Sequence, residues 1–268
     1  MAGAFLDPFH TREISGLSKI VIGRQFCGPP NSGNGGYVCG VLAKDLEGPA
    51  RAVLRAPVPL DVDLDLAPAD GGVALTGAEG VLIGRGDPAP DADLPAPPEP
   101  IDLDAARAAG RRHIGLEQRF HPICFTCGTE RAEGDGLRVL AGQVEGREAG
   151  VVADAWTPHA AFAGPDGAIA TEVVWAALDC PGYFAWVEKE GRHGALLGTM
   201  TGEVLRHPKA GEPCVVMAWP LAREGRKETA GVALFSASGE LMARAHQVWI
   251  VMGPRPDPAS QAKESASA

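Results

Sequence analysis

Apolar residues along this chain fall into two kinds of segment. Short alternating or continuous runs, broken by Gly, Pro and Asn, predict strands at Ser18 to Phe26, Ala52 to Arg55, Val62 to Leu66, and Val73 to Leu75 through Val81 to Ile83. The same pattern returns at Leu137 to Leu140, Gly150 to Trp156, Leu196 to Leu205, Cys214 to Trp219 and Thr229 to Phe235. A last run, Leu241 to Met252, follows the Ser238-Gly239 turn. Two other stretches, about Gly35 to Leu46 and from about Ile169 to Cys180, are apolar on every side at helical spacing. Such helices must be buried all round.

The order strand, long turn, apolar helix, run of strands therefore occurs twice. Antiparallel sheet wrapped about each helix is the economical way to bury it, and two such units can lie side by side. The predicted class is α+β: two antiparallel sheets, each around a central apolar helix. The first unit covers residues 1–86 and the second 104–253. Between them, Asp87 to Pro100 is proline-rich and acidic, so 87–103 reads as an extended connector. An Ala/Arg-rich helix, Leu103 to Arg112, leads into the second unit. Residues 254–268 have little to bury and are expected to be disordered. The repeat is one of pattern, without residue-level identity.

Composition narrows the function. A formal charge of −10 with scattered Lys and Arg argues against a nucleic-acid platform. The first residues lack a basic, then apolar leader, and no window approaches ~18 apolar residues, so a soluble cytoplasmic protein is expected, with no membrane partner. The six cysteines, several inside apolar runs, read as reduced buried thiols.

The candidate chemistry lies at the two helices. Asn34-Gly35-Gly36 opens the first, and no charge intervenes before Lys44, so backbone N–H groups are offered at a helix start. Asn34 reads either as a plain helix cap or as a side-chain donor, with Asn31 in the same turn as a second donor. In the second helix Asp179 is read as standing near the helix end, before Cys180-Pro181-Gly182 breaks it. Desolvation and the negative helix terminus would then raise its pKa toward that of a general base. Glu172, two turns earlier on nearly the same face, is either a second acid or a dipole-matching residue. Thr199 and Thr201 alternate with Met200, and Thr201 is the candidate for orienting a water; plain β-propensity is the other reading. Arg226 and Lys227 lie in the densest basic loop, which would suit phosphate or be a solvated hairpin tip. Cys124 and Cys127 form a single CxxC with no second pair, so a tight turn is favoured and neither a metal nor a cofactor is expected.

These residues resemble the hotdog fold, in the acyl-CoA thioesterase-like branch with two hotdog units fused in one chain. Asn34-Gly35-Gly36 with its helix resembles the His-Gly-Gly turn and central helix of the phenylacetate-pathway thioesterases. Cys124-Phe125-Thr126-Cys127-Gly128, followed by Gly136-Leu137-Arg138, resembles the opening of small hotdog proteins. Trp175-Ala176-Ala177-Leu178-Asp179 resembles the segment carrying the catalytic carboxylate. The resemblance implies a double hotdog packed as a pseudo-dimer, an acyl-CoA substrate, Asp179 as general base and the Asn34-Gly35-Gly36 start as oxyanion site. Tyr37 and Trp175 would line the substrate, Arg226 and Lys227 would meet its phosphates, and a homodimer of such chains is open. Fused hotdog thioesterases pair the Asp with Thr and Gln; Thr201 would be the Thr, and Gln247 in the last strand is the only loose candidate for the Gln. The His of the turn is Asn34 in one unit and Ala170 in the other; the acid position is Ala43 in one and Asp179 in the other. One complete composite site and one degenerate site follow. A non-catalytic acyl-CoA or lipid binder is the first rival. A hotdog enoyl-CoA hydratase or dehydratase is the second, disfavoured by the missing His.

Overall fold

The structure, a computed structural model, describes residues 16–191 and 194–253. The expected tail, 254–268, lies outside the described residues. Five strands belong to the first half: β1 (Ser18–Val21), β2 (Ala50–Leu54), β3 (Asp63–Ala69), β4 (Gly72–Thr76) and β5 (Leu82–Pro88). Six belong to the second: β6 (Gly142–Gln143), β7 (Val152–Trp156), β8 (Ala195–Val204), β9 (Cys214–Glu224), β10 (Lys227–Ser236) and β11 (Leu241–Val251). The helices are α1 (Gly35–Ala43), α2 (Leu103–Gly110), α3 (Gly115–Gln118) and α4 (Thr171–Glu190).

All the strands join one antiparallel sheet in the order β1-β3-β4-β5-β2-β8-β11-β10-β9-β7-β6. Each half contributes a contiguous block. The two expected sheets are therefore one, because β2 and β8 pair at the seam: Ala50 with Gly202, Arg51 with Thr201, Ala52 with Met200, Val53 with Thr199. Pairing removes two edges whose unbonded N–H and C=O groups would otherwise face solvent.

Helices α1 and α4 pack against each other and against the same face of the sheet, α1 mainly on the first half's strands and α4 on the second's. Nearly every residue of α1 is buried. At nine residues, with glycine at 35, 36 and 40, it would not persist alone; burial holds it. Strand alternation supplies a second, smaller core on the opposite face. Val152, Val216, Ala218, Val232 and Leu234 point to the main core, whereas Ala153, Val215, Met217 and Ala233 meet Ala106 and Ala109 of α2.

Three local expectations change. The segment Leu137 to Leu140 is not a sheet strand: Leu137 and Val139 donate their N–H groups to the carbonyls of Phe125 and Thr126, in the CxxC segment. The connector starts later than expected, since β5 runs to Pro88. Helix α4 does not break at Cys180-Pro181-Gly182 but continues to Glu190. Proline removes an N–H and strains the preceding turn. Gln247 of β11, fully buried, braces this turn from outside the helix: its Nε2 donates to the carbonyls of Leu178 (2.7 Å) and Asp179 (3.1 Å), and its Oε1 accepts from the Trp249 indole (2.9 Å). Gly182 makes the approach feasible, because a Cβ there would stand 1.7 Å from Gln247 Oε1.

Candidate active site

The start of α1 meets the middle of α4. Asn34, buried, is the N-cap of α1, its Oδ1 accepting from the Tyr37 N–H at 2.9 Å. Its Nδ2 donates to Asp179 Oδ2 at 2.8 Å. The cap and donor readings of Asn34 thus hold together. Gly36 N–H donates to the same carboxylate oxygen at 3.0 Å. The other oxygen, Asp179 Oδ1, is buried and has no hydrogen-bond partner.

Two glycines let the helices come this close. A Cβ on Gly36 would lie 2.5 Å from Asp179 Cβ and 2.6 Å from the Trp175 carbonyl oxygen; one on Gly40 would lie 2.4 Å from Glu172 Cα. Spaced one turn apart, Gly36 and Gly40 form the groove of α1 into which Glu172, Trp175 and Asp179 of α4 settle.

Burial pushes the Asp179 carboxyl up to about 7, opposed by the Gly36 N–H, assisted by the neighbouring Cys124 thiol and opposed again by the Asn34 amide. The expected helix-end contribution is absent, because α4 extends eleven residues beyond Asp179, to Glu190. Desolvation carries the shift.

The second half also supplies the site's floor. Thr126 Oγ1 donates to the Ala176 carbonyl at 2.7 Å, tying the CxxC segment to α4. Phe125 N–H donates to the Cys27 carbonyl at 2.7 Å, and Arg131 Nη2 donates to the Gln25 carbonyl at 2.7 Å, tying the same segment to the approach to α1. Cys124, Cys127 and Cys180 gather beside the acid, with Cys124 Sγ 3.6 Å from Cys180 Sγ and 3.8 Å from Asn34 Nδ2.

The remaining candidates divide between this site and elsewhere. Gly35 is half-buried under the side chains of Leu197 and Leu54. Tyr37 is buried, its ring stacked on Phe26 (centroids 4.1 Å apart) and set edge-on to Phe125. Burial and then the Glu172 charge push its hydroxyl pKa well up. Glu172 is buried in the first turn of α4, against Gly40. Trp175 is buried and meets α1 through its Cβ and its carbonyl. Asn31 is exposed in the turn before α1.

Thr201 does not join the site. Met200 points into the main core, so Thr199 and Thr201 face the opposite side of the sheet, where Thr201 lies between Arg51 and His246. Arg226 and Lys227 stand at the β9–β10 hairpin: Arg226 Nε donates to the Val251 carbonyl at 2.9 Å, and Lys227 lines a groove of about 450 Å³ on that same outer face, with Arg51 and Thr199. Neither is brought to Asp179.

Sequence reasoning missed one contributor and placed another only loosely. Gln247, the loose candidate for the family's Gln, donates to the Leu178 and Asp179 carbonyls. Cys180 gave no signal as a partner of the CxxC, because 53 residues and a change of element separate it from Cys127.

No family model and no curated protein matches the chain. Solved structures do. The acyl-CoA thioesterase II TesB2 of Mycobacterium marinum aligns with TM-score 0.59 at 12% identity, over 91% of this chain and 96% of its own. The tesB protein of Mycobacterium avium subspecies paratuberculosis aligns with TM-score 0.59 at 12% identity, over 93% and 97%. A hot dog fold protein of unknown function from Alicyclobacillus acidocaldarius aligns with TM-score 0.57 at 11% identity, over 90% and 94%. At such identities the likeness establishes the fold, and the chain has a hotdog fold. The alignments with the two mycobacterial proteins run along nearly their full length. Among the described residues, no helix is long and apolar enough to cross a membrane.

Proposed function

We propose that the chain is a double-hotdog acyl-CoA thioesterase, two units packed as a pseudo-dimer with one composite site. One observation carries the reading: a buried carboxylate from the second half, Asp179, accepts from the Gly36 N–H that starts the first half's helix and from the side-chain amide of its cap, Asn34. Thioester hydrolysis uses these two components, a base to take a proton from water and donors for the developing oxyanion. The 3.0 Å contact leaves no room for a carbonyl oxygen and a water between Asp179 and Gly36. In this proposal the substrate carbonyl displaces the carboxylate from the Gly36 N–H and the Asn34 amide. The freed Asp179 then accepts a proton from water as the water oxygen bonds to the carbonyl carbon; the C–S bond breaks, Asp179 returns the proton to the departing sulfur, and the products are coenzyme A thiol and the free acid. Solution as a cytoplasmic homodimer belongs to the same proposal.

The same contact favours a second reading, a non-catalytic acyl-CoA or lipid binder in which Asp179 only locks α1 to α4. Purified protein offered a panel of short, long and aromatic acyl-CoAs, with thiol release followed, separates them. The thioesterase reading expects turnover in wild type and a loss of at least about 100-fold in Asp179→Asn, the usual worth of a positioned general base. Absence of turnover across the panel, or an unchanged rate in a folded Asp179→Asn, overturns it. Acyl-CoA raising the Tm without turnover would establish the binder.

A further inference from the structure

Three thiols that the thioesterase mechanism does not use converge beside the site. Cys124 and Cys127 come from the CxxC segment and Cys180 from α4, and the three sulfurs all lie within 4.8 Å of one another. Each is buried, and none is in a disulfide. We propose that Cys124, Cys127 and Cys180 bind a thiophilic d¹⁰ divalent cation, with Zn²⁺ as the probe. The proposal reverses the expectation of no metal drawn from the CxxC alone, and it stands whether or not the chain hydrolyses thioesters.

Geometry is the first support. With Zn–S bonds of about 2.3 Å, two sulfurs on one tetrahedral zinc sit about 3.8 Å apart. The Cys124–Cys180 separation, 3.6 Å, is close to that value, and the Cys127 sulfur lies within 4.8 Å of both.

A neighbouring donor is the second. Asn34 Nδ2 donates to Cys124 Sγ at 3.8 Å. Such an N–H to sulfur bond stabilises a metal-bound thiolate and orients it, as an outer shell does in thiolate metal sites. Gly128 is required by the tight CxxC turn, since a Cβ there would lie 2.4 Å from the Cys124 carbonyl oxygen.

An unpartnered acceptor is the third. Asp179 precedes Cys180 in the chain, and its Oδ1 is buried with no hydrogen-bond partner. Three sulfurs leave the fourth position of a tetrahedral ion to a water, a donor of the kind this buried acceptor lacks. Binding exchanges protons for metal: each thiol that ligates gives up its S–H proton to solvent, so uptake of Zn²⁺ releases up to three protons.

The test uses the full chain, purified under reducing conditions, loaded with Zn²⁺ and passed through gel filtration. Wild type is expected to retain one Zn²⁺ per chain by elemental analysis. Replacing zinc with Co²⁺ should give thiolate charge-transfer absorption. Cys124→Ser, Cys127→Ser and Cys180→Ser should each lose the retained metal, with cobalt absorption falling in step with the number of thiolates removed. Cys214→Ser, another buried thiol on β9, should keep one Zn²⁺ per chain and so controls for general damage to the core. Should any of the three fail to fold, the cobalt spectrum of wild type replaces it: thiolate charge-transfer absorption matching three thiolates per Co²⁺ is expected, and its absence overturns the proposal. No retained metal in wild type, or equal retention in the cysteine variants and wild type, overturns the proposal. Because the readout is metal and not turnover, a failed hydrolysis assay leaves this outcome distinct.

Discussion

Helix α1 meets α4 at two glycine–acid crossings, and only one of them makes a hydrogen bond to the backbone. At Gly36 the partner is Asp179, and the glycine's N–H donates to the carboxylate. At Gly40 the partner is Glu172, approached just as closely. The difference is one turn of helix. Gly36 lies in the first turn, where N–H groups have no intrahelical acceptor, whereas the Gly40 N–H is spent on the helix's own ladder. Equal steric complementarity therefore produces a polar site at one crossing and packing at the other.

The largest expected effect erases both crossings. Gly36→Ala and Gly40→Ala each drive a Cβ into α4 backbone or Cβ atoms, so each should cost about 3 kcal/mol, the upper part of the usual overpacking range, measured by urea unfolding. A tolerated Gly40→Ala would mean that the helix contact is not set by the glycines.

Next comes the contrast between the acids. Asp179→Asn should lower thioester turnover by at least about 100-fold, and Glu172→Gln by no more than about 3-fold if it only packs. Comparable losses would make the two crossings functionally alike and break the distinction drawn here.

The helix starts differ as well. Asn34 caps α1 through its side chain, while Ala170, the N-cap of α4, makes no side-chain cap. Asn34→Ala should cost about 1–2 kcal/mol, and Ala170→Ser should add about 0.5–1 kcal/mol, both read as unfolding midpoints.

The smallest effect uses a third buried acid as a control. Asp154 Oδ2 accepts from the Leu140 N–H at 2.6 Å and Oδ1 from the Ala155 N–H at 2.8 Å. Burial nevertheless pushes its pKa from 3.8 up to about 7. Its folded pKa lies above the unfolded one, so folding takes up a proton between those values, and the associated stability is lost as pH rises through that window. The Tm of Asp154→Asn should fall less than that of wild type as pH rises from 3.8 to about 7, with turnover unaffected. An unchanged pH slope would mean that Asp154 titrates normally.

Much of this was legible because periodicity reports burial directly. The all-apolar α1 and the alternating runs of β8 and β11 gave elements close to those observed. Asn34, Gly36 and Asp179 were legible because a polar turn ahead of an apolar helix, and an acid within one, each break the local pattern. Three things were not. A proline ordinarily ends a helix, and the sequence near Pro181 holds nothing that announces Gln247 as a brace from another strand. Thr201 was assigned by alternation, which says that two threonines share a face but not which face is inside. The third thiol was hidden because only the tertiary fold brings Cys180 to the CxxC.

The β2–β8 seam has a consequence for how this molecule comes into being. It joins four residues of each strand across roughly 150 positions of chain, a separation at which loop closure is slow compared with hairpin formation. Each half can zip its own neighbouring strands first, and the seam then closes as a late, long-range event. The Gly36–Asp179 contact spans a similar interval of chain and belongs to the same closure. A chain cut before Asp179 can form neither, whereas one cut between Asp179 and β8 keeps both partners of the contact and loses the seam.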